Sequence, residues 1–231
     1  MARHYPSLDS PASNRTMPNA HPPLTPEMLL SGYAQGIFPM AMSRDEPGLH
    51  WFDPVRRGII PLDGLHVSRS LRRRVRRWDY LVRVNTAFSE VVAACAARPE
   101  TWINAGLTAL YQELHAAGYA HSLEVWREDA LIGGIFGISL GGAFFGESMF
   151  SRQRDGSKLA MVWLVDRLRS AGFALFDTQY LTPHLQSLGG VEIARAEYRA
   201  RLAEALRRQA DFTAPPPPTP QSVLQRITQT S

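Results

Sequence analysis

Apolar and polar positions along the chain change period several times, and each change marks an element. Thr25-Pro26-Glu27 places an N-cap residue before a proline in the first turn, which starts a helix, and Gly36 can end it. Short strands are predicted around residues 49–52 and 58–61, giving a small N-terminal unit. Ser68 caps an arginine-rich helix, residues 80–84 read as a strand, and residues 86–97 read as a helix in which Cys95 packs on a small, apolar surface. Leu107, Leu110, Tyr111 and Leu114 recur at i, i+3, i+4 and i+7, one buried helical face ended by Gly118. From there the period becomes two. His121, Leu123 and Val125 alternate with Ser122, Glu124 and Trp126, and the acidic turn Glu128-Asp129 leads into a strand over 131–140. Gly141-Gly142 turns the chain into a further strand over 143–150. Ser157 then caps a helix to about Ser170, residues 173–178 form a strand, and 196–209 a final helix. Trp78, Trp126 and Trp163 read as core.

This order predicts an α+β layered fold with a central, mainly antiparallel sheet flanked by helices. It resembles the acetyltransferase-like (GNAT-like) architecture. Composition sets the boundaries. Eleven of the 17 prolines lie in 1–26 or 211–231, so 1–24 and 211–231 are expected to be disordered tails. A small N-terminal domain over 25–66 and a GNAT-like domain over 67–210 remain. At 45% hydrophobic content the chain can bury a core, and no apolar run is long enough to span a membrane. Residues 1–23 lack the apolar region of a secretory signal. A single cysteine rules out an internal disulfide and a cysteine-based zinc cluster, and suits a reducing cytoplasm.

The net charge of +4 is unevenly placed. Between His66 and Arg83 stand Arg69, Arg72, Arg73, Arg74, Arg76, Arg77 and Arg83 against Asp79 alone. A focused positive patch suits a polyanion, and arginine forks suit phosphate oxygens. The same run also reads as a solvated helix face in a protein whose only lysine is Lys158.

Familiar catalytic motifs are missing: no nucleophile elbow, P-loop, zinc-protease helix or dinucleotide fingerprint. An acyl-CoA enzyme of this architecture needs two glycines in the loop before its phosphate-binding helix, where Arg152-Gln153-Arg154-Asp155-Gly156-Ser157-Lys158 has one. Acyl-CoA-dependent N-acylation is therefore the alternative reading.

Eight short motifs nevertheless follow one another between about Leu29 and Leu206. They are Gly36-Ile37-Phe38-Pro39; Trp51 with Asp53-Pro54; His66-Val67-Ser68-Arg69-Ser70; Thr101-Trp102-Ile103; His121-Ser122-Leu123-Glu124-Val125-Trp126; Gly146-Glu147-Ser148-Met149-Phe150-Ser151; Ser157-Lys158; and Asp177-Thr178-Gln179. Together they resemble the leucyl/phenylalanyl-tRNA–protein transferases. Met40 and His50 depart from the aromatics expected there.

The resemblance implies transfer of Leu or Phe, and Met less well, from aminoacyl-tRNA to proteins whose N-terminus is Arg or Lys, creating a degradation signal. The expected partners are Leu-tRNA, Phe-tRNA and those acceptor proteins, with no cofactor, no metal and no membrane, for a cytoplasmic monomer. Asp177 and Gln179 become the catalytic pair by resemblance, two apart and so on one side of a strand. Taken alone, Asp177 reads as a strand-end cap for the next helix, a task open to Thr182 as well. Glu147 stands among Phe144, Phe145, Met149 and Phe150 and needs a partner: the cation of an acceptor, the tRNA end, or a core arginine. Ser148 is expected to face away from it. Trp51, Trp102 and Tyr111 match positions near the terminal adenosine and aminoacyl group, with core packing equally open to Tyr111. Phe144, Met149, Ile135 and Met161 are candidates for the side-chain pocket or simply core. The arginines at 69, 72, 73, 74, 76 and 77 would hold the acceptor stem by its phosphates, and Lys158 a phosphate near the CCA end.

Overall fold

The computed structural model of the chain describes residues 24–46 and 48–228. The expected N-terminal tail lies outside these residues, apart from Leu24, which is partly buried against the core. The first elements are α1 (Pro26–Ala34), β1 (Phe38–Met40), β2 (His50–Phe52), β3 (Arg56–Ile59), α2 (Arg69–Arg77) and β4 (Leu81–Val84). Next come α3 (Phe88–Ala96), α4 (Ala105–Ala116), β5 (Ala120–Arg127), β6 (Ala130–Leu140) and β7 (Ala143–Ser151). The chain continues with α5 (Gly156–Ser170), β8 (Leu175–Gln179), α6 (Pro183–Gln186), β9 (Val191–Ala194), α7 (Arg195–Leu206) and α8 (Pro220–Thr228).

Local chemistry starts these helices as expected. Thr25 caps α1 by accepting from the Met28 N–H, and Ser68 caps α2 through the Leu71 N–H. Asn104 does the same for α4, and its amide also donates to the Glu46 carbonyl, which fixes the preceding loop.

Seven strands form a mixed sheet in the order β4-β5-β6-β7-β8-β3-β9, and β1 pairs with β2 separately. Every pairing in the large sheet is antiparallel except β7 with β8, which α5 joins as a crossover. One face carries α1, α3, α4 and α7 through Leu29, Tyr33, Val91, Tyr111 and Leu202. The other carries α2, α5 and α8 through Val75, Leu164 and Val223. The fold class is thus α+β with helices on both faces. The strand assigned to the N-terminal unit, β3, lies instead inside the large sheet between β8 and β9. None of the helices among the described residues is long and apolar enough to cross a membrane.

The segment after residue 210 overturns the expectation of a disordered tail. Phe212 is buried, its ring 4.5 Å from that of His121 and 5.4 Å from that of Phe144. Past the proline run, Val223, Leu224 and Ile227 turn one apolar face of α8 into the core. Arg226 binds Asp166 through two bonds of 2.7 and 2.8 Å, and Arg167 donates to the Phe212 and Pro215 carbonyls. Four prolines mask a short amphipathic helix that composition alone reads as tail. Phe212→Ala is expected to lose about 3–5 kcal/mol of stability, measurable as a lower urea midpoint at unchanged slope. Of the tryptophans read as core, Trp163 is buried and donates to Tyr80, Trp126 is half-buried, and Trp78 is 49% exposed.

Candidate active site

The site begins with an irregularity in the sheet. Gly137 pairs with Gly146 and Phe136 with Ser148, which leaves Glu147 as the extra residue of a β-bulge. The bulge reverses the alternation of β7. Before it, Phe144 faces the α5 layer and Phe145 the α1–α4 layer; after it, Met149 faces α5 and Phe150 faces α1–α4. Simple period-two counting therefore fails here, and Glu147 and Ser148 both line the same cleft.

That cleft opens because β7 and β8 pair only through Ala143–Phe145 and Leu175–Asp177, while both strands run on. Its cavity volume is about 50 Å³, and it opens to solvent. Met40, Trp102, Ile135, Met149, Met161 and Phe176 supply apolar walls, and Glu147, Ser148, Thr178 and Gln179 a polar edge. Gly146 is needed at the mouth because a Cβ there would come within 2.8 Å of the Phe176 ring. The Thr178 hydroxyl is buried with no hydrogen-bond partner among the described residues.

Glu147 is held by three donors. Tyr33 donates to Oε1 at 2.7 Å, Tyr111 to Oε2 at 2.8 Å, and Gln179 Nε2 to Oε1 at 3.1 Å. No cation pairs with it among the described residues. Burial pushes its carboxyl up to about 7, against the opposing pull of those hydrogen bonds. Burial and the nearby carboxylate also raise both tyrosines, so they remain hydroxyl donors.

Behind the cleft wall lies a second carboxylate with the opposite character. Asp177 is fully buried and forms a two-bond pair with Arg57, Nε to Oδ1 at 2.9 Å and Nη2 to Oδ2 at 2.6 Å. Tyr198 donates to Oδ2 at 2.8 Å, and the Gln179 backbone N–H to Oδ1 at 2.8 Å. These four donors fill the lone-pair positions of the carboxylate. Arg57 also donates to the Gly36 carbonyl and lies between the rings of Phe38 and Tyr198, 4.5 and 4.4 Å from their centroids. Burial opposes its charge, but Asp177 outweighs that and keeps the guanidinium protonated.

Gln179 joins the two carboxylates. Its backbone has φ 63, left-handed for a residue with a Cβ, and its N–H is tied to Asp177 while its side chain reaches Glu147. Thr182 caps α6, so Asp177 is not the cap of that helix.

The structure thus brings Glu147, Tyr111, Gln179 and Asp177 into one network and places Trp102, Ile135, Met149 and Met161 on the cleft wall. Trp51 and Phe144 fall outside the cleft wall. Trp51 rests on α1 at Gly32, where a Cβ would come within 2.2 Å of its ring. Phe144 packs on Phe173, Phe176 and Phe212. Ser157 does not cap α5: the cap position is Asp155, and the Ser157 N–H is taken by Ser151 Oγ, leaving Lys158 half-buried in the first turn. Within α2, Arg69, Arg73 and Arg76 are exposed, Arg72 donates to the Val67 carbonyl, and Arg74 and Arg77 are bound to Asp79. Tyr33, Arg57 and Tyr198 were missed from sequence. Arg57 alone carried a signal, as an arginine entering the apolar run Gly58-Ile59-Ile60 and therefore in need of a buried partner.

Comparison with known proteins agrees along the chain. A sequence model described as leucyl/phenylalanyl-tRNA protein transferase matches residues 59–203, and one for that enzyme's N-terminal domain matches residues 23–55. A leucyl/phenylalanyl-tRNA–protein transferase of Ruegeria sp. (strain TM1040) is 62% identical over 208 residues, covering 90% of this chain and 99% of the relative. One from Cereibacter sphaeroides (strain ATCC 17025 / ATH 2.4.3) is 62% identical over 212 residues, covering 91% and 99%, and one from Paracoccus denitrificans (strain Pd 1222) is 56% identical over 208, covering 90% and 98%. Relatives of this identity, matched over about nine-tenths of the chain and nearly all of their own length, make it an enzyme of the transferase class. The chain belongs to the leucyl/phenylalanyl-tRNA protein transferase family.

Proposed function

We propose that the cleft joins Leu or Phe, delivered as an aminoacyl-tRNA ester, to the α-amine of proteins that begin with Arg or Lys. The observation that carries this reading is the bulge-borne Glu147, the only carboxylate on the cleft wall among the described residues, facing apolar walls rich in methionine. In this reading the Leu or Phe side chain lies among Ile135, Met149 and Met161, Trp102 borders the donor end, and Glu147 holds the acceptor's cation. The β7–α5–β8 crossover with its parting strands fits the GNAT-like plan. The negative Asp155 at the start of α5 disfavours a CoA pyrophosphate there. Cytoplasmic action as a monomer, marking acceptors for degradation, completes the proposal.

An ester is already activated, so alignment and charge stabilisation are the main demands. The neutral α-amine attacks the ester carbonyl carbon, the bond from that carbon to the ribose oxygen breaks, and an amide forms. The proton lost by nitrogen ends on the ribose oxygen. Gln179 Nε2 gives one hydrogen to Glu147 and has a second for the developing oxyanion, and the unpartnered Thr178 hydroxyl lies on the same wall. Asp177 acts through Gln179, whose left-handed backbone it anchors. Incubation with labelled Phe-tRNA or Leu-tRNA should label a peptide starting with Arg or Lys and spare one starting with Ser. Absence of transfer from both tRNAs would overturn the proposal.

A further inference from the structure

Helix α2 presents two unlike faces. Leu71 and Val75 are buried, whereas Arg69, Arg73 and Arg76, at i, i+4 and i+7, share one exposed face. None of these three arginines takes part in an ion pair among the described residues. Asp79 instead pairs with Arg74, Arg77 and Arg127, offsetting one of their three charges. The exposed guanidiniums of α2 without an ion pair therefore form a row of three, spaced about 6 Å and then about 4–5 Å along the helix axis.

At the end of this row the helix stops on Trp78, whose backbone is left-handed with φ 43 and ψ 42. Its side chain is 49% exposed, against 7% for Trp102 and 3% for Trp163, with Trp51 and Trp126 half-buried. Leu81, three residues on, is 51% exposed, and Arg83 follows on the edge strand β4. A large open indole beside unpaired guanidiniums is poorly suited to water and well suited to a polyanion that also carries aromatic faces. Nucleic acid meets both requirements, since phosphates pair with the arginines and a base stacks on the indole.

Building on the tRNA donor of the proposed function, we propose that Trp78 stacks on an exposed base of that tRNA, at the end of a phosphate-binding row formed by Arg69, Arg73 and Arg76. The contact tolerates any base, because every base has a π-face. It lies on a different element from the residues of the cleft, so it serves to hold the donor and leaves the chemistry of the ester to Glu147 and Gln179.

The test uses the full chain with uncharged tRNA. Trp78 is the most exposed of the tryptophans in the described residues, so acrylamide quenching reads it preferentially. Added tRNA is expected to shield it, and Trp78→Phe to remove most of the shielded signal. Trp78→Asn, which suits a left-handed position, is expected to melt no lower than the parent yet bind tRNA roughly 5- to 100-fold more weakly. Its salt dependence should be unchanged, whereas Arg73→Gln with Arg76→Gln should reduce the slope of log affinity against log salt by about 1.5 to 2. Unaltered tRNA affinity in Trp78→Asn, or tryptophan access unaffected by tRNA, overturns the inference while the parent still binds and transfers. Shielding by anionic vesicles but not by tRNA overturns it in favour of a membrane surface. A parent chain that binds no tRNA overturns the donor reading as well.

Discussion

Glu147→Gln is expected to leave the protein folded, make it more stable above pH 7, and slow transfer by roughly 30- to 5,000-fold, the loss of one partner of a buried charge pair. The two halves of this expectation share one cause. Burial raises the folded-state carboxyl from 4.5 to about 7, so between those values the folded state binds more protons than the unfolded one. Stability from this group is therefore complete below about pH 4.5 and falls as pH rises towards 7, by on the order of 3 kcal/mol in all. Glutamine cannot ionise, so the variant should lack that loss, with Tyr33, Tyr111 and Gln179 still bonding its amide after reorienting. Activity should move the other way. An ionised Glu147 attracts the acceptor's cation, so transfer by the parent should rise with pH through about 7, below the further rise as the α-amine loses its proton near 8. In the variant the lower rise should vanish and the upper one remain. Urea midpoints and kcat/KM across pH 5–9 measure both, and an unchanged lower rise in the variant would remove Glu147 from the role given to it.

The regular elements were legible in the sequence because each depends on near neighbours. The β5–β6–β7 meander follows from period-two alternation broken by Glu128-Asp129 and Gly141-Gly142, and α4 from Leu107, Leu110, Tyr111 and Leu114. What stayed hidden depends on partners distant in the chain. The bulge at Glu147 exists only relative to Phe136 and Gly137 on β6, so alternation within β7 wrongly turned Ser148 away from the cleft. Arg57 enters an apolar run, but nothing near it in the chain names its partner; only the insertion of β3 between β8 and β9 buries it against Asp177. Strand β9 has four residues, three of them exposed, too few to show a period. The family resemblance singled out Glu147, Asp177 and Gln179, and the fold joins the three by hydrogen bonds while giving the two carboxylates different surroundings. One carboxylate faces the cleft with a raised pKa; the other is sealed behind it with all its lone pairs used.

The sealed carboxylate gives the second large effect. Asp177→Asn is expected to cost about 3–5 kcal/mol of stability, because Arg57 stays charged in a buried site that no longer neutralises it. The asparagine oxygen can still accept from Arg57 Nε and the Gln179 N–H, but its NH₂ then faces Arg57 Nη2, donor against donor. Transfer should fall by roughly 10²-fold or more, since the donor clash at Arg57 Nη2 shifts the side chain on which the Gln179 N–H is anchored, and an error near 1 Å is costly to alignment. Removing both charges separates folding from positioning. Arg57→Met combined with Asp177→Leu removes the unpaired buried charge and should regain part of the lost stability, the remainder being held back by the Tyr198 hydroxyl, Gln179 N–H and Gly36 carbonyl left without partners. It should not regain transfer, because the Gln179 N–H remains without its acceptor. Affinity for tRNA should be spared in both variants, as Asp177 lies away from α2 and off the cleft wall. Recovery of kcat in the double variant would show that Asp177 serves only to hold the fold. A stable but slow double variant with unchanged tRNA affinity would place its contribution in the alignment of Gln179 with the ester.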